Sequence, residues 1–171
     1  GDPYTEKILD PNNDQYIPEI TYPKAEIAYP EKGIGILYTF KISKEKYAWK
    51  NLDFKIKYLD NLMIYELLFR DFTRTNGSAD VGDIKGALAK LKAGYFRNLG
   101  VNAIELMPVQ EFEGNNSWGY NPFYFFALDK AYGTKEDYKA FIDECHSQGI
   151  AVLFDVVYNH ATGSHTFARL F

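Results

Sequence analysis

Apolar residues follow two alternating patterns in the second half of the chain. Continuous apolar runs occur at residues 62–69, 101–107 and 150–157. Runs that are apolar on both faces are typical of buried parallel strands. Between the runs, apolar residues at helical spacing predict one amphipathic helix from Ile84 to Leu99 and a second that begins near Thr134 and includes Cys145. The order strand–helix–strand–helix–strand predicts a parallel sheet with right-handed crossovers.

Glycines and polar residues mark the ends of these elements. A polar turn centred on Asn76-Gly77 is predicted between the first strand and the first helix. Gly86 and Gly94 lie inside that helix and each weakens it by roughly 1 kcal/mol relative to alanine. Gly100 is expected to end the first helix, and Gly149 is expected to end the second helix in the same way.

Two α/β folds fit this order of elements, an open doubly wound sheet and a (β/α)8 barrel. No Gly-x-Gly-x-x-Gly follows the first strand, and no phosphate-binding loop ends in Lys-Ser or Lys-Thr, so a nucleotide site is not supported. Each strand carries one acid at a comparable depth, namely Glu66, Glu105 and Asp155. Three inward carboxylates suit the polar mouth of a barrel better than a doubly wound core. We therefore predict a partial (β/α)8 TIM barrel, about its first three strands, in residues 61–171.

The first sixty residues follow a different pattern. Five prolines and a turn cluster at residues 10–14 interrupt them, and short strand candidates lie at Ile34–Ile42 and Phe54–Tyr58. We predict that residues 1–60 are the end of an N-terminal β-rich domain and a linker. Tyr47 and Trp49 could contact a sugar, but packing is the simpler expectation for both.

Composition narrows the class of protein. Of the 171 residues, 46% are hydrophobic and 25% charged, which allows a packed core. The net charge of −4 and the lack of a basic cluster argue against a nucleic-acid partner. No apolar run approaches the ~20 residues of a membrane span, and no signal pattern opens the chain. The single cysteine, Cys145, excludes an internal disulfide and leaves the compartment open; extracellular or periplasmic export is compatible with the sequence.

Candidate chemistry lies in two places. The third strand holds Asp155 and ends in Asn159 and His160, where a barrel would have its active site. The simpler interpretation of Asp155 is a buried aspartate that holds a loop. The second place is a long segment, Val109–Gly133, rich in asparagine, glycine and aromatics. Segments of this length without helices or strands are usually functional or disordered, and the aromatic content favours order and therefore function.

Four stretches carry a resemblance to a known family. They are Ile64–Asp71 (IYELLFRD), Gly100–Val109 (GVNAIELMPV), Trp118–Pro122 (WGYNP) and Asp155–His160 (DVVYNH). Together they resemble the α-amylase superfamily, glycoside hydrolase family 13, over roughly the last two thirds of the chain. The first sixty residues resemble the end of the β-domain that precedes the barrel in some members.

The resemblance implies roles for four residues. His160 would hydrogen-bond the sugar in the subsite just before the scissile bond, and Tyr120 would be the platform on which that sugar stacks. Asp155 would orient the site from below, and Asn159 would bind a structural calcium ion (Ca2+). These roles fit the chemistry of the side chains, since an aromatic ring suits the C–H face of a pyranose and an amide oxygen suits calcium.

The family also implies an activity for the parent protein. It is expected to be a retaining α-glucan hydrolase, α-amylase-like, acting on starch, glycogen or maltooligosaccharides. A retaining glycosidase needs two carboxylates ~5–5.5 Å apart. In the family the catalytic acids follow the fourth, fifth and seventh strands, which places them beyond Phe171. Glu66, Glu105 and Asp155 match none of them, so we expect this chain alone to be inactive.

The function of the parent protein has alternatives, and the open edges of the sheet predict self-association. The parent could be a branching, debranching or transglycosylating enzyme of the same superfamily, a non-catalytic starch-binding module, or a scaffolding relative without the acids. Three parallel strands leave two open sheet edges, so self-association is expected, or pairing with a missing portion or with the N-terminal segment.

Overall fold

The computed structural model describes residues 2–40, 46–74, 82–163 and 165–167. The strands, in chain order, are β1 (Lys7–Leu9), β2 (Leu37–Thr39), β3 (Ile64–Leu67), β4 (Ala103–Leu106), β5 (Gln110–Phe112), β6 (Pro122–Leu128) and β7 (Ala151–Phe154). The helices are α1 (Phe69–Phe72), α2 (Ile84–Lys92), α3 (Tyr95–Leu99) and α4 (Lys135–Ser147). The predicted Asn76-Gly77 turn and the last two residues of the Ile34–Ile42 candidate lie outside the described residues.

The chain forms two compact units, and neither follows the sequence in one piece. The first contains residues 1–44, 108–134 and 156–171, and the second contains residues 45–107 and 135–155. The domain boundary near residue 60 that the sequence suggests stays a prediction. Among the described residues, no helix is both long and apolar enough to cross a membrane.

The second unit contains the predicted parallel sheet. Its strand order is β3-β4-β7, so β3 and β7 are its outer strands in the described part of the chain. Glu66 is paired with Glu105, and Glu105 with Leu153. The amide of Asp155 donates to the Leu106 carbonyl at 2.9 Å, which continues the register just past the end of β7. Because side chains alternate along a strand, the three acids lie on one face of the sheet.

The predicted helix from Ile84 to Leu99 is interrupted. It forms α2 and α3, separated at Gly94, which has a φ of 83° in the left-handed region. Only glycine adopts that conformation readily, so this position breaks the helix instead of only weakening it. The predicted face of α2 is nevertheless the buried one, since Ile84, Ala87 and Leu91 are fully buried.

Helix α4 covers the predicted range and anchors the segment that precedes the sheet. Tyr138, Phe141 and Cys145 are buried, and Cys145 lies in the core as a free thiol. The Asp143 carboxylate accepts hydrogen bonds from the backbone amides of Lys50 and Asn51 at 3.0–3.1 Å. These bonds hold the segment around residue 50 against the helix.

The expectation of a strand at Phe54–Tyr58 is wrong. The described residues there have no strand hydrogen bonds, and a single 3₁₀ turn follows at Leu59–Asn61. The Phe54 ring stacks on His146 of α4, with centroids 4.3 Å apart and planes 11° apart. The apolar residue that suggested a strand therefore makes its contact with a helix.

The first unit is built from antiparallel pairs. β1 pairs with β2, and β5 pairs with β6 through an irregular register. The β5–β6 hairpin lies inside Val109–Gly133, which the sequence analysis treated as one long loop. Ile8 of β1 packs with Phe123, Tyr124 and Ala127 of β6 in a buried cluster. The hairpin and the N-terminal strands therefore share a core.

Candidate functional site

Tyr120 lies in the loop between β5 and β6, and close contacts fix that loop. Gly119 has a φ of 90°, and a Cβ added there would lie 2.4 Å from the Pro108 carbonyl oxygen. Its amide donates to the Ser117 hydroxyl at 3.0 Å, and that hydroxyl also bonds the side-chain oxygen of Asn121. Tyr120 itself is 37% exposed, so the ring is held on an ordered turn and still reaches solvent.

His160 is tied directly to this loop. Its Nε2 lies 2.7 Å from the backbone oxygen of Tyr120. A carbonyl oxygen can only accept, so Nε2 carries the proton and donates it. In the tautomer with its proton on Nε2, the ring offers Nδ1 as an acceptor for a sugar hydroxyl. Two residues further on, the Thr162 amide donates to the Pro122 carbonyl at 3.1 Å, which holds the segment after His160 to the start of β6.

The other two predicted residues are described by their burial and by their place in the chain. Asp155 is half-buried and belongs to the second compact unit, one residue past the end of β7. Asn159 is exposed and precedes His160. The structure thus brings together Tyr120 and His160, and the roles of Asp155 and Asn159 stay predictions.

The calcium prediction depends on the oxygen ligands that lie near Asn159. Calcium takes six to eight oxygen ligands, commonly carboxylates. Among the described residues there is no group of three or more histidine, cysteine, aspartate or glutamate side chains that could hold a metal ion. Asn159 offers one amide oxygen, and calcium binding at this position stays a prediction.

A cluster of buried charges lies in the same unit, and sequence analysis missed it. Lys130 is 2% exposed, and its Nζ lies 2.5 Å from Glu111 Oε1 and 3.3 Å from Asp14 Oδ1. Burial raises the pKa of Glu111 to about 6, although Lys130 opposes the shift. Burial, and then the charge of Glu111, raise the pKa of the neighbouring Asp129 well above its usual range. An available signal was Asp129-Lys130 directly after the apolar run of β6.

Trp118 is a further candidate that the sequence analysis named only as part of a motif. It lies two residues before Tyr120 and is 62% exposed. An exposed indole on an ordered loop is suited to stacking on a sugar ring. By contrast, His146 and His165 are both partly or fully buried, and burial lowers the pKa of each imidazole.

Comparisons with known proteins extend this picture. The model of the alpha amylase catalytic domain matches residues 65–169. A malto-oligosyltrehalose trehalohydrolase of Saccharolobus solfataricus is 33% identical over 166 residues, which is 94% of this chain and 25% of that protein. The 1,4-alpha-glucan branching enzyme GlgB of Pseudomonas aeruginosa is 49% identical over 76 residues, 44% of this chain and 10% of the enzyme. A crystal structure from Salmonella typhimurium, assigned as an alpha amylase, matches 77% of this chain and 21% of its own, with 36% identity and a TM-score of 0.64.

These relatives are glucan-processing enzymes of glycoside hydrolase family 13, and the parallel sheet of this chain matches part of the amylase TIM barrel. The chain belongs to the alpha amylase family. It spans a quarter or less of the length of the relatives described above.

Proposed function

We propose that this chain forms the substrate-positioning part of an α-glucan-processing site. The observation that carries the proposal is the 2.7 Å contact between His160 Nε2 and the Tyr120 carbonyl oxygen. It couples an imidazole to an ordered loop whose aromatic ring reaches solvent. The Tyr120 ring would stack on the C–H face of a glucose unit, and His160 Nδ1 would accept a hydrogen bond from one of its hydroxyls.

The reaction of the parent protein is proposed to be hydrolysis of an α-glucan with retention of configuration. This chain would contribute binding and orientation, which lower a barrier by holding the sugar in a productive position. Glu66 and Glu105 are paired on adjacent strands, yet neither matches a catalytic acid of the family. We therefore propose that neither acts as nucleophile or acid/base, and that the chain alone does not hydrolyse glucan.

A second candidate is transfer of the glucan chain, as in branching. The similarity to a branching enzyme over 76 residues favours it. Both reactions start from the same bound glucan, so the same positioning residues would serve either one.

Binding of maltoheptaose to the chain, measured by calorimetric titration, tests the proposal. Tyr120→Ala should weaken binding by roughly fivefold or more, because stacking of this kind contributes on the order of 1 kcal/mol or more. Tyr58→Ala is the matched control, since Tyr58 is an exposed tyrosine of the other unit. Equal affinities for the two variants would contradict the role of Tyr120.

Release of reducing sugar from soluble starch tests the proposal that the chain alone does not hydrolyse glucan. The chain and its His160→Ala variant should both give background rates. A rate for the chain well above that of His160→Ala would show that the chain itself is catalytic.

A further inference from the structure

The N-terminal turn at residues 10–16 makes a direct bond to the loop that carries Tyr120. The side-chain Nδ2 of Asn115 donates to the backbone oxygen of Asn13 at 2.7 Å. Both residues belong to the first compact unit, and 102 positions separate them in sequence. A bond between such distant positions fixes the loop relative to the N-terminal turn, which bonds within the loop cannot do.

The turn presents the Asn13 carbonyl in a fixed orientation. The Asp10 carboxylate accepts from the Asn12 amide at 2.9 Å and from the Asn13 side-chain amide at 2.7 Å. The Asp14 carboxylate accepts in return from the Asp10 amide at 3.0 Å. Two aspartates four residues apart therefore close the turn on itself. The Asn13 carbonyl, which accepts from Asn115, is held in place by these bonds within the turn.

Lys130 then fixes the turn to the hairpin. Its buried ammonium group lies between Asp14 of the turn and Glu111 of β5, at 3.3 and 2.5 Å. Lys24 adds a second cation, which donates to the backbone oxygens of Asp14 and Gln15 at 3.1 and 2.8 Å. Charged hydrogen bonds of this kind are stronger than neutral ones, so Lys130 holds the turn firmly against β5, from which the Tyr120 loop begins.

Hydrogen bonds within the loop connect Asn115 with Tyr120 and with the partner of His160. Asn115 is two residues before Ser117, whose hydroxyl accepts from Gly119 and bonds Asn121. Tyr120 lies between Gly119 and Asn121, and its carbonyl oxygen accepts the hydrogen bond from His160 Nε2. A shift of the loop at Asn115 would therefore move both the Tyr120 ring and the partner of His160.

We propose that the turn at residues 10–16 positions the Tyr120 loop for glucan binding, with Asn115 and Asp14 as positioning residues that do not touch the sugar. The inference rests on the proposed function for the binding of glucan, and it extends that site to the first residues of the chain. The turn at residues 10–16 then supports the glucan site without contacting the sugar.

The affinity measurement compares three variants of the chain, and the exchange measurement adds Asp14→Asn. Asn115→Asp keeps the size of the side chain, removes the donor and sets a carboxylate against the Asn13 carbonyl. Asn115→Gln keeps an amide donor and serves as the conservative replacement. Asn12→Asp is the matched control, because Asn12 is exposed in the same turn and gains the same charge.

Maltoheptaose affinity is the first measurement, at a temperature where every variant is folded. Asn115→Asp should weaken binding by about tenfold, the effect of one lost hydrogen bond, while Asn12→Asp stays within about twofold of the original chain. Asn115→Gln should recover most of the loss. A purely structural role would lower the unfolding midpoint without changing the affinity of the folded protein. Equal affinity for Asn115→Asp and Asn12→Asp would overturn the proposal.

Amide hydrogen exchange without sugar is the second measurement, and it separates this inference from the proposed function. Asn115→Asp and Asp14→Asn should each speed exchange of the Gly119 amide by about tenfold, whereas Asn12→Asp should not. If the original chain fails to bind maltoheptaose, the proposed function is refuted. Unchanged Gly119 exchange in Asn115→Asp would refute the positioning role on its own.

Discussion

Replacement of Lys130 by methionine should destabilise the protein in a way that depends strongly on pH. The substitution keeps the apolar stem and removes the ammonium group that faces Glu111 and Asp14. Removing one partner of a buried ion pair typically costs about 3–5 kcal/mol, because the remaining group must either stay charged without compensation or take up a proton. We expect a loss of about 3 kcal/mol in the free energy of unfolding at pH 7.

The pH dependence follows from the pKa of Glu111. Burial holds this pKa at about 6, above the ordinary value of 4.5, so its contribution to stability is most favourable below pH 4.5 and declines as pH rises through 6. Above about pH 7 the original chain has a largely ionised Glu111 in both states, and its stability changes little through this group. Without Lys130 the folded form keeps Glu111 protonated, so it binds one proton more than the unfolded form. Its stability then falls by about 1.4 kcal/mol per pH unit.

Urea denaturation between pH 5 and 8 provides the assay. The cost of Lys130→Met should grow by about 1.4 kcal/mol per unit between pH 7 and 8. Lys32→Met is the control, because Lys32 is an exposed lysine of the same unit, and its effect should stay within about 0.5 kcal/mol. Adding Glu111→Gln to Lys130→Met should remove the additional dependence of the free energy of unfolding on pH. A cost that is flat or falls with rising pH would refute the account of this cluster.

Three further predictions concern single positions. Gly119→Ala should cost about 1–3 kcal/mol in urea denaturation, because its φ of 90° is strained for alanine and the new methyl group meets a carbonyl oxygen; an unchanged midpoint would contradict this. Asp143→Ala should speed amide exchange at Lys50 and Asn51 by about tenfold or more, while exchange in the β5–β6 hairpin stays unchanged. Burial raises the pKa of the Cys145 thiol, so its reaction with a disulfide reagent at pH 8 should be about a hundredfold slower in the native protein than in denaturant; equal rates would refute its burial.

Several elements could be predicted because one physical pattern determined them. The parallel strands were identified by runs of apolar residues, and the structure has β3, β4 and β7 within those runs. Helix α4 followed from apolar residues at helical spacing between a threonine and a glycine. In these cases burial of apolar side chains is the dominant contribution to the free energy, and the spacing of apolar residues reflects it directly.

The errors arose where tertiary contacts or a backbone conformation decided the outcome. Gly94 was seen only as a weak helix former, because spacing alone does not show that its φ is positive. The β5–β6 hairpin was overlooked because its strands flank a turn rich in asparagine and glycine, and their pairing is irregular. Strand pairing depends on partners at a distance, which local propensity does not include.

The candidate site was predicted in part for the same reasons. Tyr120 and His160 were selected by motif, and the structure places His160 on the Tyr120 carbonyl. The buried trio of Lys130, Glu111 and Asp14 was missed, because charged residues are usually exposed. Only the folded chain shows that three distant segments bring them together.

The most direct test of the central claim is a titration with maltoheptaose followed by the ¹⁵N signals of the imidazole rings. The proposed site predicts that the ring signals of His160 shift on binding and that those of His146 and His165 stay in place. Tyr120→Ala should abolish the shift at the same sugar concentration. No change at His160, or the same change in Tyr120→Ala, would contradict a glucan site built from these two residues.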